Sequence, residues 1–144
     1  MQVHTRRATL WVVSGVLAAV LACEGLPSSP GSEPDITNKT GYFAYQVSGI
    51  RNYSGYDFFT WENRGSEVFV HISPSPESGD ALIVLVDAEG RHVFAQSASA
   101  QGTFPSAEGI PGWWTVRIYC AAFTGTVTFS ARARTETSPP VATG

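Results

Sequence analysis

A period of two constrains this chain more than any other feature. From Thr126 to Ala133, Val127, Phe129, Ala131 and Ala133 alternate with Thr126, Thr128, Ser130 and Arg132. Successive side chains of a strand point to opposite faces, so this pattern describes a strand with one apolar side. The same alternation sets Trp114, Val116, Ile118 and Cys120 against Thr115, Arg117 and Tyr119, and Val68, Val70 and Ile72 against Glu67, Phe69 and His71. Ala81–Val86 is apolar on both faces, which predicts a central strand covered on both sides. Tyr42–Ser48, Tyr56–Trp61 and Arg91–Gln96 supply further strands, the last entered by an Asp87-Ala88-Glu89-Gly90 turn in which Gly90 is free to take positive φ. Thr124-Gly125 reads as the turn of an antiparallel hairpin joining Trp114–Cys120 to Thr126–Ala133. No helical period is sustained after the first 22 residues. Residues 41–134 are therefore expected to form an all-β domain, a two-layer antiparallel β-sandwich of jelly-roll-like type with seven or eight strands.

The start of the chain has a different character. Arg6 and Arg7 precede Leu10–Leu21, which is apolar apart from Ser14. This is the basic region and short apolar region of an export signal, a signal helix over residues 1–22. It is too short for the roughly 20 apolar residues of a membrane-spanning helix, and Glu24, Pro27 and Pro30 end it. Val20-Leu21-Ala22-Cys23 resembles the lipobox of bacterial lipoproteins. That resemblance implies cleavage between Ala22 and Cys23 and lipidation of the Cys23 sulfur. Several acyl chains, at about 0.8 kcal/mol per buried CH₂, would hold the protein to a membrane. Residues 23–40 carry three prolines and few apolar side chains, and are expected to be the lipidated cysteine and a flexible tether. Residues 135–144 are expected to be a disordered tail. The expected location is outside the cytoplasm, anchored on the periplasmic or cell-surface face of a bacterial membrane.

Composition narrows the partners. Without Arg6 and Arg7, seven basic residues face twelve acids, a net charge of about −5. Nucleic acid is excluded, since phosphate binding needs clustered Lys and Arg. With Cys23 lipidated, Cys120 has no partner for a disulfide. Its place beside Trp114, Val116 and Ile118 reads as a small buried hydrophobe.

Enzymatic motifs are missing: the sequence has no His-Glu-x-x-His, no Gly-x-Ser-x-Gly and no phosphate-binding glycine loop. His71 and His92 fall on outward strand positions and are not enough for a metal site or a triad. No metal or cofactor is expected. Aromatics are more suggestive. One of Phe58/Phe59 and one of Trp113/Trp114 must point outward, and Tyr56, Trp61 and Trp113 are the candidate rings for stacking on a glycan or anchoring an envelope-protein partner.

Three segments, Gly79–Gly90, Gly112–Ile118 and Gly125–Ala131, resemble the pre-peptidase C-terminal domain, a bacterial sandwich module. In that family a strand runs into an Asp-x-x-Gly turn, and later strands open on glycine followed closely by an aromatic residue. The resemblance implies a non-catalytic domain linked with solubility or substrate binding. The sequence thus leads to a non-enzymatic, lipid-anchored envelope protein with a structural or binding β-sandwich. A carbohydrate-binding module is the alternative, and a hydrolase built around His71 and His92 the third reading.

Overall fold

The computed structural model of the chain describes residues 27–134. The expected signal peptide over residues 1–22, the expected cleavage and lipidation at Ala22–Cys23, and the expected tail over 135–144 lie outside the described residues. Seven strands follow in order: β1 (Asp35–Lys39), β2 (Tyr42–Asn63), β3 (Val68–Ile72), β4 (Ser75–Val86), β5 (His92–Ser97), β6 (Gly102–Pro105) and β7 (Gly112–Ala133). All pair antiparallel, in the order β1-β2-β7-β3-β6, with β4 also on β7 and β5 on β4. The all-β expectation holds.

β2 and β7 are each 22 residues long. Straight strands of that length would reach about 70 Å at 3.3 Å per residue. They do not run straight. Phe43 and Phe59, both in β2, bring their ring centroids within 5.7 Å, whereas an extended strand would hold them about 50 Å apart. The strand therefore doubles over. Its register against β7 shifts between Val47 and Gly55, and β4 shifts against β7 between Pro76 and Asp80. Positive φ at Gly49, Asn52, Gly79, Ala122 and Gly125 falls along this same line. One sheet thus turns a corner and packs its own inner face together as two layers. The first halves of β2 and the second half of β7 lie in one layer with β1, β3 and β6; their other halves lie in the second with β4 and β5.

This corner corrects two expectations. Trp114–Cys120 and Thr126–Ala133 are not a hairpin but the two halves of β7, and Tyr42–Ser48 and Tyr56–Trp61 are likewise halves of β2. Thr124-Gly125 bends the strand without reversing it, because β2 bends at the facing positions and keeps its pairing through the corner. Part of the segment 23–40 expected to be a flexible tether is instead paired into the sheet. Asp35–Lys39 pairs with Tyr42–Gln46, and Ser29 bridges to Arg51. Ile36 packs against the core there.

Between the layers lies an aromatic cluster. Trp61 and Trp114 are fully buried and meet edge-on with centroids 6.1 Å apart. Phe43 packs against Trp61 and Phe129, and Tyr45 against Phe129. Each indole N–H finds a carbonyl, Trp61 Nε1 donating to Lys39 O and Trp114 Nε1 to Ile110 O, both at 2.8 Å. The second bond leads to Asp87, the turn residue before β5. Its buried carboxylate accepts from the backbone N–H groups of Arg91 (2.8 Å), Ile110 (2.9 Å) and Glu89 (3.0 Å), and from Arg91 Nε (3.3 Å). Burial by itself would raise the Asp87 pKa, but these bonds outweigh it and lower it from 3.8 to about 2.

Two predictions follow from this geometry. A Cβ on Gly79 (φ +76°) would stand 2.0 Å from Ala122 O, while one on Gly90 (φ +84°) would meet nothing within 4 Å. Gly79→Ala should therefore cost about 3 kcal/mol or more, strain plus a backbone collision, and Gly90→Ala only about 1 kcal/mol of strain. Denaturant unfolding of the two variants checks the difference, and equal losses would contradict the corner. For Asp87, a lowered folded-state pKa means stability that is full above about pH 4 and is lost as pH falls towards 2. Asp87→Asn should melt below the wild type at pH 7, and the gap in Tm should close between pH 4 and pH 2.

Candidate functional site

Beyond the corner, β2, β7 and β4 lie side by side with their inner faces on the aromatic cluster. Register fixes what the outer face carries. Tyr56 pairs with Tyr119 and Tyr119 with Leu82; Phe58 pairs with Arg117 and Arg117 with Val84; Thr60 pairs with Thr115 and Thr115 with Val86. Paired residues share a face, so these form three successive cross-strand rows. Tyr56 and Phe58 are 59 % and 60 % exposed, and Tyr119 and Leu82 are also exposed. The rings are close to parallel: Tyr56 and Tyr119 centroids are 5.7 Å apart at 29°, and Tyr56 and Phe58 are 6.2 Å apart at 25°.

Beside the rings runs a shallow groove of about 580 Å³, lined by Tyr56, Phe58, Thr60, Thr115, Arg117 and Tyr119. Its chemistry is mixed. Three aromatic faces are followed by two hydroxyls and one guanidinium. Such a strip offers stacking area and hydrogen-bond donors within one strand pair.

The sequence candidates divide. Tyr56 is in the strip. Trp113 is 64 % exposed and pairs with Glu62, which puts it on the same outer face. It lies six residues along β7 from Tyr119, roughly 20 Å away. Trp61 does not belong. It is fully buried in the cluster between the layers, as Phe59 is partly buried beside it, because odd-numbered positions of this half of β2 face inward. Phe58 and Tyr119 take its place. Alternation alone marks Phe58 or Phe59 as outward, but only the β2–β7 register brings Tyr119 against Tyr56.

The two histidines are separate. His71 Nδ1 is 2.9 Å from Thr103 Oγ1 across to β6, and its Nε2 is 3.4 Å from Ser73 Oγ. His92 sits on β5, which adjoins only β4. Glu67, the acid nearest His71 in sequence, is bound to Arg134 at 2.7 Å. A hydrolase centred on both imidazoles has no assembled site. Among the described residues, no group of three or more His, Cys, Asp or Glu is placed to hold a metal ion. Cys120 is half-buried rather than enclosed. Burial, then the nearby Asp57 charge, raise its thiol pKa above the ordinary value.

No known family matches the chain, and no curated protein matches it. Distant likenesses exist among solved structures. The SPBc2 prophage-derived protein YomS is 21 % identical with a TM-score of 0.40, over 69 % of this chain and 93 % of that one. Procruciferin, an 11S globulin from Brassica napus, is 18 % identical with a TM-score of 0.37 over 63 % of this chain, which spans only 20 % of the globulin. An arabinose-bound α-L-arabinofuranosidase, MgGH51, is 20 % identical with a TM-score of 0.34, over 80 % of this chain and 23 % of its own.

Proposed function

We propose that this chain is a non-enzymatic, lipid-anchored protein of the bacterial cell envelope whose β domain binds glycan. The stacked, outward row of Tyr56, Phe58 and Tyr119 carries this reading. A pyranose ring has an apolar C–H face and a rim of hydroxyls. The strip provides the complement, aromatic faces beneath and Thr60, Thr115 and Arg117 at the edge. It is one strand pair wide, which suits a linear sugar chain better than the broad surface of about 800 Å² that each partner of a stable protein complex buries. Anchoring rests on the lipobox-like Val20–Cys23 and the basic and apolar segments before it.

Two experiments test the two halves of the proposal. On a glycan array, with titration of the best binder, Phe58→Ala and Tyr119→Ala should each weaken binding about tenfold or more, at about 1–3 kcal/mol per lost stacking or hot-spot contact. Trp113→Ala, far along the same face, should have a smaller effect. Binding to no glycan, or wild-type affinity in Phe58→Ala, would reject the glycan assignment. For the anchor, cells fed a palmitate analogue should label the wild type and not Cys23→Ala. A variant still labelled and membrane-bound would reject lipidation at Cys23.

A further inference from the structure

Six arginines lie within residues 27–134, and five of them are exposed. Arg64, Arg91 and Arg134 face the carboxylates of Glu62, Asp87 and Glu67 at 3.6, 3.3 and 2.7 Å. Arg132 stands 5.4 Å from the centroid of the Tyr42 ring, and Arg51 lies open to solvent. Arg117 differs from all of them. It is half-buried and lines the groove beside the aromatic strip. Among the described residues its guanidinium meets no carboxylate and lies over no ring. A partly desolvated charge gives up hydration, and without a partner in the chain only an anion from outside would offset that cost.

Register shows how far away the acids of this face stand. Arg117 holds the middle row, between Phe58 and Val84, and the rows on either side of it contain no acid. Ala95 extends the middle row onto β5 and is uncharged. The first acids on the face are Glu62 on β2 and Asp80 on β4, each four residues from the middle row, about 13 Å along its strand. That exceeds the roughly 8 Å over which exposed charges act at physiological salt, and Glu62 already faces Arg64. Asp57, next to Phe58 in sequence, points to the opposite side of the sheet. Phe58 itself, directly across from Arg117, is 60 % exposed, so a ligand can rest on it.

We infer that the strip takes an acidic glycan, a chain containing uronate residues, with a sugar ring on Phe58 and its carboxylate on Arg117. This rests on the glycan reading above and adds to it the class of sugar. A guanidinium fork matches a carboxylate through two parallel N–H···O bonds. Thr60 and Thr115, in the next row, offer hydroxyls to those of the ring. With more acids than bases, the protein has no general attraction for polyanions, so the preference has to come from this one contact. A densely sulfated chain calls for clustered Lys and Arg, whereas a single guanidinium suits a single carboxylate.

Calorimetric titration of the full chain with hexamers of galacturonate and of glucuronate, each against its carboxyl-reduced neutral counterpart, tests the inference. A sulfated galactan is the fifth ligand. At least one uronate hexamer should bind about tenfold or more tighter than its neutral counterpart, the size of effect a charge-assisted hydrogen bond supplies. Arg117→Met, which keeps the apolar length of the side chain, should reduce that ratio to about twofold or less, and Arg117→Lys, a charge without the fork, should keep only part of it. Phe58→Ala should weaken both members of the pair. Equal affinity for acidic and neutral hexamers, or the wild-type ratio in Arg117→Met, would overturn the uronate assignment and leave the glycan reading standing. Tighter binding of the sulfated galactan would overturn the choice of a carboxylate. Binding to none of the five would reject both readings together.

Discussion

The corner that β2, β4 and β7 turn together holds every other feature in place. A single antiparallel sheet cannot bury its own apolar face unless it folds, and folding three paired strands at once requires their irregularities to coincide. They do coincide. The register shifts of β2 and β4 lie opposite the same stretch of β7, and glycines sit where backbones come closest. At Gly125 a side chain would strike Ser75 O at 2.6 Å, and at Gly79 it would strike Ala122 O at 2.0 Å. Only residues without a Cβ allow the strands to approach this closely while bending.

Bending alone would leave two loose flaps. The aromatic cluster closes them, because Trp61 and Phe59 from one end of β2 meet Phe43 and Tyr45 from the other. Removing a buried Phe or Trp side chain typically costs about 3–5 kcal/mol, a large fraction of the roughly 5–15 kcal/mol by which domains are stable. Cys120 is free, so within residues 27–134 this closure is non-covalent. Asp87 extends it, since the carboxylate that organises its own turn also holds Ile110, whose carbonyl receives the Trp114 indole. Loop and core are thereby tied through one buried charge, fully supplied with donors as a buried carboxylate must be.

How much of this was legible follows from what each signal depends on. Alternation is local, so the inward sets Val68/Val70/Ile72 and Trp114/Val116/Ile118 could be read directly, and they are buried. Gly90 could be read from the turn chemistry around it, and it has positive φ. Strand continuity could not. Thr124-Gly125 has the composition of a hairpin turn, and whether such a pair reverses the chain or bends it depends on the strand opposite, some 70 positions earlier in sequence. β1 and β6 were hidden for another reason: edge strands of four or five residues bury few side chains and leave little pattern. Of the candidate rings, Trp61 was legible in principle. It stands an odd number of residues from Tyr56 on one strand, and the period of two already places the pair on opposite faces. Tyr119 was not legible, because only register brings it to Tyr56.

The same parity gives β2 its two working sides. Tyr56 and Phe58 face outward with Tyr119, while Asp57 and Phe59 face inward with Ile118 and Val116. In the flat part of the layer an inward carboxylate would be intolerable, since a buried unpaired charge is neutralised or expelled. Asp57 is tolerated because it lies next to the corner, where the opposing layer swings away and the inner face opens to solvent as a cleft. The bend that allows the sheet to cover itself therefore also leaves one place where it cannot, and the polar residues of the inner face gather there: Asp57, the Tyr45 hydroxyl and the Cys120 thiol. A straighter sheet would have to replace them with apolar side chains. The recess is thus a consequence of how the fold closes, and its acidic, tyrosine-lined chemistry is what the chain has placed in the space that closure leaves.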